Sequence, residues 1–259
     1  MKHRTILITL ITFGVYYVLD DIFFNDLRSL INNYIGQIGV SHNLTYLISG
    51  IPLFIGVRLI HKRPYLFESL GFRGSFTKAF FFALMCTLPM VIGYAIVFDF
   101  NEKVGVNSIL ISAVAAAFFE EVFFRGFLFG QLFRFTRLGF FPSVILGSLL
   151  FGIIHLYQSR DLITAIGIFS TTFLGAILFA WLYVEWKNNI WVPIFIHFFM
   201  NLIWLLFSVA DNALGGLYAN LFRITSIVLI VSSTFLIKRK NGLPLEVSKS
   251  SIWMKQNMK

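Results

Sequence analysis

The sequence has few charged residues and almost no cysteine. Charged side chains make up 13% of the 259 residues and apolar ones 58%, whereas a soluble domain carries about a quarter charged. The mean hydropathy of +0.81 excludes a disordered or collagen-like chain. Cys86 is the only cysteine, which excludes a secreted fold stapled by internal disulfides. The scarcity of charge therefore indicates a chain that folds in a lipid bilayer.

Long apolar runs take the place of the missing charges. Runs of about 20 residues form transmembrane helices, whereas barrel strands would be about half as long and alternate in polarity. The N-terminal run resembles a signal peptide, but no small-residue cleavage site precedes Asp20 and Asp21, so we interpret it as a retained span. The predicted spans are 5–19, 44–60, 79–98, 109–133, 138–157, 162–184, 190–210 and 217–237. We predict an all-α polytopic membrane protein, a bundle of about eight transmembrane helices.

The remaining charge is basic, with 21 Lys and Arg against 12 Asp and Glu. If the N-terminus lies in the cytoplasm, four basic residues lie on the opposite side of the membrane: Arg28, Lys103, Arg160 and Arg223. A fifth, Arg125, lies within a span. The other sixteen lie on the cytoplasmic side, as the positive-inside rule requires. The basic excess thus predicts orientation, with both termini cytoplasmic and the lipid bilayer as a partner. No nucleic-acid motif accompanies it, and nucleic acid is not expected to bind.

Five ionisable side chains lie inside the apolar spans. They are Glu120, Glu121, Arg125, His155 and His197. A charge at the bilayer centre costs at least about 2.5–3.5 kcal/mol, so such residues face a protein interior or a wet cavity and are usually functional. The other acidic residues are assigned to loops and tails: Asp20, Asp21, Asp26, Glu68, Asp99, Glu102, Asp161, Glu185, Asp211 and Glu246.

An α-helical fourth span would give the two glutamates different tasks. At about 100° per residue, Glu121 and Arg125 form an i, i+4 ion pair, while Glu120 points about 140° away and stays free. Each of three predicted helices carries one group of residues on a single face. The groups are Ala113, Ala116 and Ala117 with Glu120 on the fourth span, Ser148, Phe151, His155 and Gln158 on the fifth, and His197 and Asn201 on the seventh. We predict an intramembrane cavity between the fourth, fifth and seventh spans, lined with small residues that allow close approach.

Each of these groups also has a structural interpretation. A lone intramembrane His or Asn more often makes an interhelical hydrogen bond worth about 1 kcal/mol, and a Glu–Arg pair can simply be structural. A carboxylate with two imidazoles, however, can deprotonate water, or hold a metal that does so, and can stabilise an oxyanion. Glu120, His155 and His197 also match the ligand set of a catalytic zinc site with an open position. The combination favours catalysis.

Three motifs occur in order on separate spans. Glu120-Glu121-Val-Phe-Phe-Arg125 fits EExxxR, Phe151-Gly-Ile-Ile-His155 fits FxxxH, and His197-Phe-Phe-Met-Asn201 fits HxxxN. Together they resemble the CAAX protease and bacteriocin-processing family of intramembrane proteases, also called the Abi family. The resemblance extends from the motifs to the eight-helix layout. We predict one integral membrane domain over 1–259, with a motif-bearing core at about 109–210 and a cytoplasmic tail at about 238–259.

The resemblance implies hydrolysis of a peptide bond within the membrane. By analogy, Glu120 and His155 would activate water, His197 and Asn201 would stabilise the oxyanion, and Glu121 and Arg125 would support them. Two mechanisms stay open: a metalloprotease in which Glu120, His155 and His197 hold zinc or another divalent metal, and a metal-free glutamate mechanism. The expected substrate is a hydrophobic peptide or a membrane-associated protein, in a bacterial cell membrane if the small size indicates a bacterial origin.

Other functions and chemistries fit the sequence less well. A non-catalytic membrane scaffold or partner-stabilising protein on the same fold is the main alternative, and a proton-coupled transporter using Glu120 and His155 is a weaker one, because no inverted repeat is present. An aspartyl protease would need two Asp residues within spans, whereas every Asp here is assigned to a loop or flank. Ser148 lacks the following glycine of a GxSG motif, and no HExxH motif occurs.

Overall fold

A computed structural model describes residues 2–61 and 65–255. Over these residues the chain is helical without a β-strand, and seven helices are long and apolar enough to span a membrane. An eighth apolar helix is shorter, Trp191–Leu206. The predicted all-α polytopic bundle is thereby confirmed. Lys62, Arg63 and the last four residues of the predicted tail lie outside the described residues.

The elements follow the predicted order, with shifted bounds. They are α1 (Lys2–Ile35), α2 (Ile38–Ser49), α3 (Ile51–Ile60), α4 (Leu66–Leu70), α5 (Phe76–Val97), α6 (Val106–Ser108), a π-helix (Ile109–Phe129), α7 (Gly130–Phe135), α8 (Phe140–Ile154), a 3₁₀ turn (Leu156–Gln158), α9 (Leu162–Glu185), α10 (Trp191–Leu206) and α11 (Leu217–Lys240). Helices α2 and α3 together form the second span, and α6, the π-helix and α7 form the fourth.

Helix α1 is much longer than the predicted span at 5–19. Its 34 residues extend about 51 Å at 1.5 Å per residue, well beyond the roughly 30 Å of a bilayer core. The assignment of Asp20, Asp21 and Asp26 to a loop is therefore wrong, because all three lie on this helix. The helix continues past these charges since no Gly or Pro interrupts it before Gly36, whose positive φ of 70° ends it.

The second span is interrupted at Gly50, between α2 and α3. A Cβ atom at this position would lie 2.5 Å from the ring of Phe123 on the π-helix, which is closer than two carbon atoms can approach. Glycine therefore permits the second and fourth spans to pack closely here, as small residues do at helix contacts in membranes.

The π-helix is the most deeply buried segment. Every residue from Glu121 to Phe129 is buried, and this part belongs to a hydrophobic cluster that also includes Phe13 of α1, Leu53 of α3 and Val144 of α8. A second cluster joins α5, α9, α10 and α11. The fourth span is thus the central helix of the bundle, and its charged residues are enclosed by its neighbours.

Helix α9 ends on a buried acid that the sequence analysis had placed in a loop. Glu185 has a fully buried side chain and forms an ion pair with Lys238 of α11, itself 7% exposed at the side chain. The backbone N–H groups of Glu246 and Val247 also donate to its carboxylate, each at 3.0 Å. The assignment of Glu185 to a loop is therefore wrong, because the C-terminal segment folds back over it.

The same C-terminal segment caps the start of α8. The N–H groups of Phe140 and Phe141 donate to the carbonyl oxygens of Ser251 and Ile252, both at 2.8 Å. The first N–H groups of a helix have no partner within it, so the carbonyl groups of the segment satisfy two of them. Residues 243–255 are thus packed against the bundle, and the segment predicted as a tail is partly structural.

We expect Glu185→Gln to destabilise this packing. The substitution leaves Lys238 buried beside a neutral amide and weakens hydrogen bonds to a charged acceptor, which are worth about 1.5–3 kcal/mol. Limited proteolysis should then cleave the 243–255 segment several times faster, with a modest fall in melting temperature. Glu246→Gln is the control, since Glu246 lies 3.8 Å from Lys238 and is half exposed. Equal cleavage rates in wild type and Glu185→Gln would contradict the anchoring role.

Candidate active site

Three of the motif residues meet in one buried cluster. An Nη atom of Arg125 lies 3.2 Å from Oε1 of Glu121, and Nδ1 of His197 lies 2.8 Å from the same oxygen. The predicted Glu121–Arg125 pair is present, with side-chain exposures of 0% and 2%. The contact with His197 was not predicted, and it makes Glu121 the bridge between the fourth and seventh spans.

Aromatic rings surround the guanidinium of Arg125. It lies 4.5 Å from the ring centroid of Phe151, the first residue of the FxxxH motif, and 5.6 Å from that of Phe179 on α9. Such cation–π contacts stabilise a desolvated cation by up to about 2 kcal/mol. The first, second and third motifs therefore converge on the pair Glu121–Arg125.

Several polar atoms of this cluster are buried without a hydrogen bond. They are Oε2 of Glu121, both Nη atoms of Arg125 and Oγ of Ser148. A cavity of about 10 Å³ is lined by Arg125 and Ser148 together with residues of α8 and α9, close to the space that one water molecule needs. Unsatisfied buried polar groups are costly and are commonly found at functional sites or beside internal water.

Glu120 occupies a different environment from Glu121. It is half-buried, and no hydrogen bond or ion pair joins it to another residue in the described part of the chain. Its electrostatic neighbours include Tyr16, Tyr46 and Arg125. Glu120 is thus the carboxylate of the pair that is available to a substrate or a water molecule.

The predicted 140° separation between Glu120 and Arg125 is wrong. That angle assumed an α-helix, but this segment is a π-helix, in which each hydrogen bond spans five residues. More residues then fill each turn, so residues five apart, such as Glu120 and Arg125, lie closer to one face of the helix than they would on an α-helix. Both glutamates can therefore interact with one guanidinium. π-Helical turns occur frequently at functional sites.

The small-residue face beside Glu120 is covered by a neighbouring helix. Ala113 and Ala117 are buried, and Nδ2 of Asn201 on α10 donates to the carbonyl oxygen of Ser112 at 2.9 Å. Asn201 itself is partly exposed, so its second amide hydrogen and its side-chain oxygen remain available. This hydrogen bond fixes the HxxxN helix against the EExxxR segment.

His155 lies immediately after α8 and not within it, because the helix ends at Ile154. Its Nδ1 is 2.7 Å from the carbonyl oxygen of Phe151, so this nitrogen donates and Nε2 keeps a free lone pair. Its ring centroid is 4.6 Å from that of Phe151. His155 is therefore connected to the Arg125 cluster through Phe151, in the tautomer that a base requires at Nε2.

The three predicted metal ligands, Glu120, His155 and His197, come from three different elements of the bundle. The described residues contain no group of three His, Cys, Asp or Glu side chains placed to hold a metal ion. Glu120, His155 and His197 are thus not assembled as a ligand set among the described residues. The residues do not fit a three-ligand zinc site in this arrangement.

Sequence reasoning missed several members of the site. Phe151 was noted as part of a stripe and as the first residue of the FxxxH motif but was given no role, and Phe179 was not considered, although both rings contact Arg125. The aromatic ring of the FxxxH motif, on a span next to a buried Arg, was the available signal. Asp20 has a carboxylate oxygen that is buried without a hydrogen bond to the described residues. This buried position was not predicted, because Asp20 was assigned to a loop.

The fold and this cluster define a class: a multi-pass all-α membrane protein with a charged site buried between its fourth, fifth and seventh spans. Residues 103–203, which contain all three motifs, match the family described as "Type II CAAX prenyl endopeptidase Rce1-like". The resemblance to the CAAX protease and bacteriocin-processing family is thereby confirmed over this segment.

The chain is also similar to a curated bacterial protein. It is 37% identical over 93 residues to "Putative membrane peptidase YdiL" of Bacillus subtilis (strain 168). The match covers 36% of this chain and 34% of that relative, so the chain spans about a third of the relative's length. No solved structure matches the chain.

Proposed function

We propose that this protein is an intramembrane peptidase that hydrolyses a peptide bond of a hydrophobic peptide or a membrane-associated protein. The observation that carries the proposal is the Glu121–Arg125–His197 cluster beside the unpaired Glu120. The family match over residues 103–203 supports a peptidase. Glu120 makes no hydrogen bond or ion pair with the residues that the structure describes, and a purely structural cluster would not require this second carboxylate.

Glu120 is the proposed general base. Its carboxylate accepts a proton from a water molecule, the water oxygen bonds to the carbonyl carbon of the substrate, and the proton passes to the leaving amine as the C–N bond breaks. Glu120 makes no hydrogen bond or ion pair with the described residues, so its carboxylate oxygens are open to a water molecule. His155, with a free Nε2, is placed in the same role by the motif and would orient or relay the water.

His197 and Asn201 are the proposed stabilisers of the tetrahedral oxyanion. They lie four residues apart on α10, so both can face one substrate carbonyl. Glu121 holds the His197 ring through Nδ1, and Arg125 holds Glu121. We assign Glu121 and Arg125 a positioning role, in which a preorganised donor avoids the cost of reorientation during the reaction.

This mechanism contains no metal step, because the candidate ligands are not grouped around one point. Both termini are proposed to lie in the cytoplasm, on the basis of the basic residues at Lys238, Arg239 and Lys240 that end α11. Metal content of the purified protein and labelling of single introduced cysteines would check these two assignments.

The proposal can be tested by comparing membrane peptides from cells that express the wild type or Glu120→Gln. New peptide ends that map to apolar segments and occur only with the wild type are the expected result. If the two peptide profiles coincide while a cellular phenotype survives the substitution, the peptidase proposal is wrong and the scaffold alternative is favoured. A proton-coupled uptake that depends on Glu120 would favour the transporter.

A further inference from the structure

A second cavity lies where α5 begins and where α9 and α11 end, and no residue of the three motifs lines it. It encloses about 470 Å³, many times the space of the cavity beside Arg125. Its walls come from three separate parts of the chain: the turn before α5, the turn after α9, and the end of α11 with the residues that follow. Its place at the ends of three helices sets it at the membrane–water interface.

The cavity is lined by an excess of positive charge. Four basic side chains contribute to the lining, Arg73, Lys78, Lys187 and Lys238, against the single carboxylate of Glu185. Glu185 is used by the buried ion pair with Lys238, and Arg73 pairs with Glu68 outside the cavity at 2.8 Å.

Two of these cations have no partner of their own. In residues 2–61 and 65–255, neither Lys78 nor Lys187 makes an ion pair or a side-chain hydrogen bond. Both lysines are exposed, so water solvates each charge and weakens their mutual repulsion, and an anion between them is attracted by both. The charge balance of the lining therefore favours an anionic ligand.

The start of helix α5 lies at the same cavity. Ser75, which lines the cavity, is the N-cap of α5, and its hydroxyl accepts from the N–H of Lys78, so the positive end of this helix faces the basic lining. The opposite wall is a turn in which Lys187 and Asn188 both have positive φ, 60° and 57°. A non-glycine residue rarely adopts this conformation.

The rim of the cavity is apolar. Ile237 and Leu243 line it and are each 39% exposed, while Trp186, which also lines it, is of the residue type enriched at membrane interfaces. A ligand that combines a negatively charged head with an apolar chain matches both parts of this surface.

We propose that this cavity, the α5–α9–α11 cleft, binds the phosphate headgroup of an anionic phospholipid, with Lys78 and Lys187 as the principal contacts. Basic pockets between transmembrane helices recognise such headgroups. The proposal does not depend on peptidase activity. Free phosphate shares the headgroup chemistry, and the experiment separates the two sources.

The test uses the whole protein in nanodiscs of phosphatidylcholine with increasing phosphatidylglycerol. Retained lipids are counted by native mass spectrometry, and the melting temperature is recorded. Because both ammonium groups contact the phosphate in this proposal, Lys78→Gln/Lys187→Gln should weaken phosphatidylglycerol retention by about tenfold or more, a larger loss than removal of two surface charges outside the cleft. The control is Arg239→Gln/Lys240→Gln, which removes the same charge from exposed positions at the end of α11, outside the cleft lining.

A selective loss of phosphatidylglycerol in the cleft variant, with the control unchanged, supports the proposal. Equal losses in both variants would overturn it, since the effect would then reflect general surface charge. A rise in melting temperature with inorganic phosphate in detergent, as large as that with phosphatidylglycerol, would overturn the lipid assignment in favour of a soluble anion. Unfolding of the cleft variant is detected in the same melting curves, and the single variant Lys78→Gln then provides the comparison.

Discussion

Glu120→Gln is expected to lower the rate of peptide hydrolysis by about 10²–10⁴-fold, the usual contribution of a general base. The amide has nearly the same shape as the carboxylate but accepts no proton from water. Because Glu120 is half-buried and makes no hydrogen bond or ion pair with the described residues, its replacement should change the free energy of unfolding by less than about 1 kcal/mol. The measurement is turnover of a substrate identified from the membrane peptides, together with thermal unfolding in detergent.

Two variants make this result specific. Glu102→Gln changes an exposed glutamate in the loop before the π-helix and should keep full activity. Glu121→Gln should reduce both activity and stability, since Glu121 is fully buried and bridges Arg125 and His197. If Glu120→Gln retains wild-type turnover, or if it loses stability as Glu121→Gln does, the assignment of Glu120 as the free base is wrong.

Hydropathy was sufficient to predict the bundle but not the ends of its helices. The scarcity of charge located every span, since burial in lipid is decided mainly by composition. Helix α1 was cut short at Asp20, although residues 15–35 contain neither Gly nor Pro to stop a helix. Charge marks where a chain leaves the bilayer core, whereas helix termination depends on backbone preference. The predicted end of the span at residue 19 and the observed end of α1 at Ile35 therefore differ by 16 residues.

The contacts of the site depend on tertiary packing more than on local pattern. The i, i+4 spacing predicted the Glu121–Arg125 pair correctly. The bond between Glu121 and His197 joins residues 76 apart, and the Glu185–Lys238 pair joins residues 53 apart, so no local periodicity could indicate them. The π-helical hydrogen bonds of the fourth span have no sequence signal either, because they depend on how neighbouring helices enclose the segment. The sequence therefore predicted the members of the site better than their mutual geometry.

Arg125→Ala should be the most destabilising single substitution in the site. It leaves Glu121 fully buried with only His197 as a partner, and removing one member of a buried pair costs about 3–5 kcal/mol. The contacts of the guanidinium with Phe151 and Phe179 are lost as well. At about 2–4 °C per kcal/mol for a chain of this size, the melting temperature should fall by roughly 10 °C, and activity should fall with it because His197 loses its anchor.

The matched control is Arg73→Ala, which breaks the exposed Arg73–Glu68 pair, in which the Arg73 side chain is 78% exposed. Its cost should be below about 1 kcal/mol, since water screens exposed pairs. Arg125→Lys keeps the charge but not the planar surface that packs on Phe151, and it should be intermediate. The double variant Glu121→Gln/Arg125→Met removes both buried charges and should regain much of the stability lost in Arg125→Ala without regaining activity. If the double variant regains both stability and activity, Glu121 and Arg125 are not needed to position His197. If it regains stability alone, the pair has a role at the site beyond its contribution to folding.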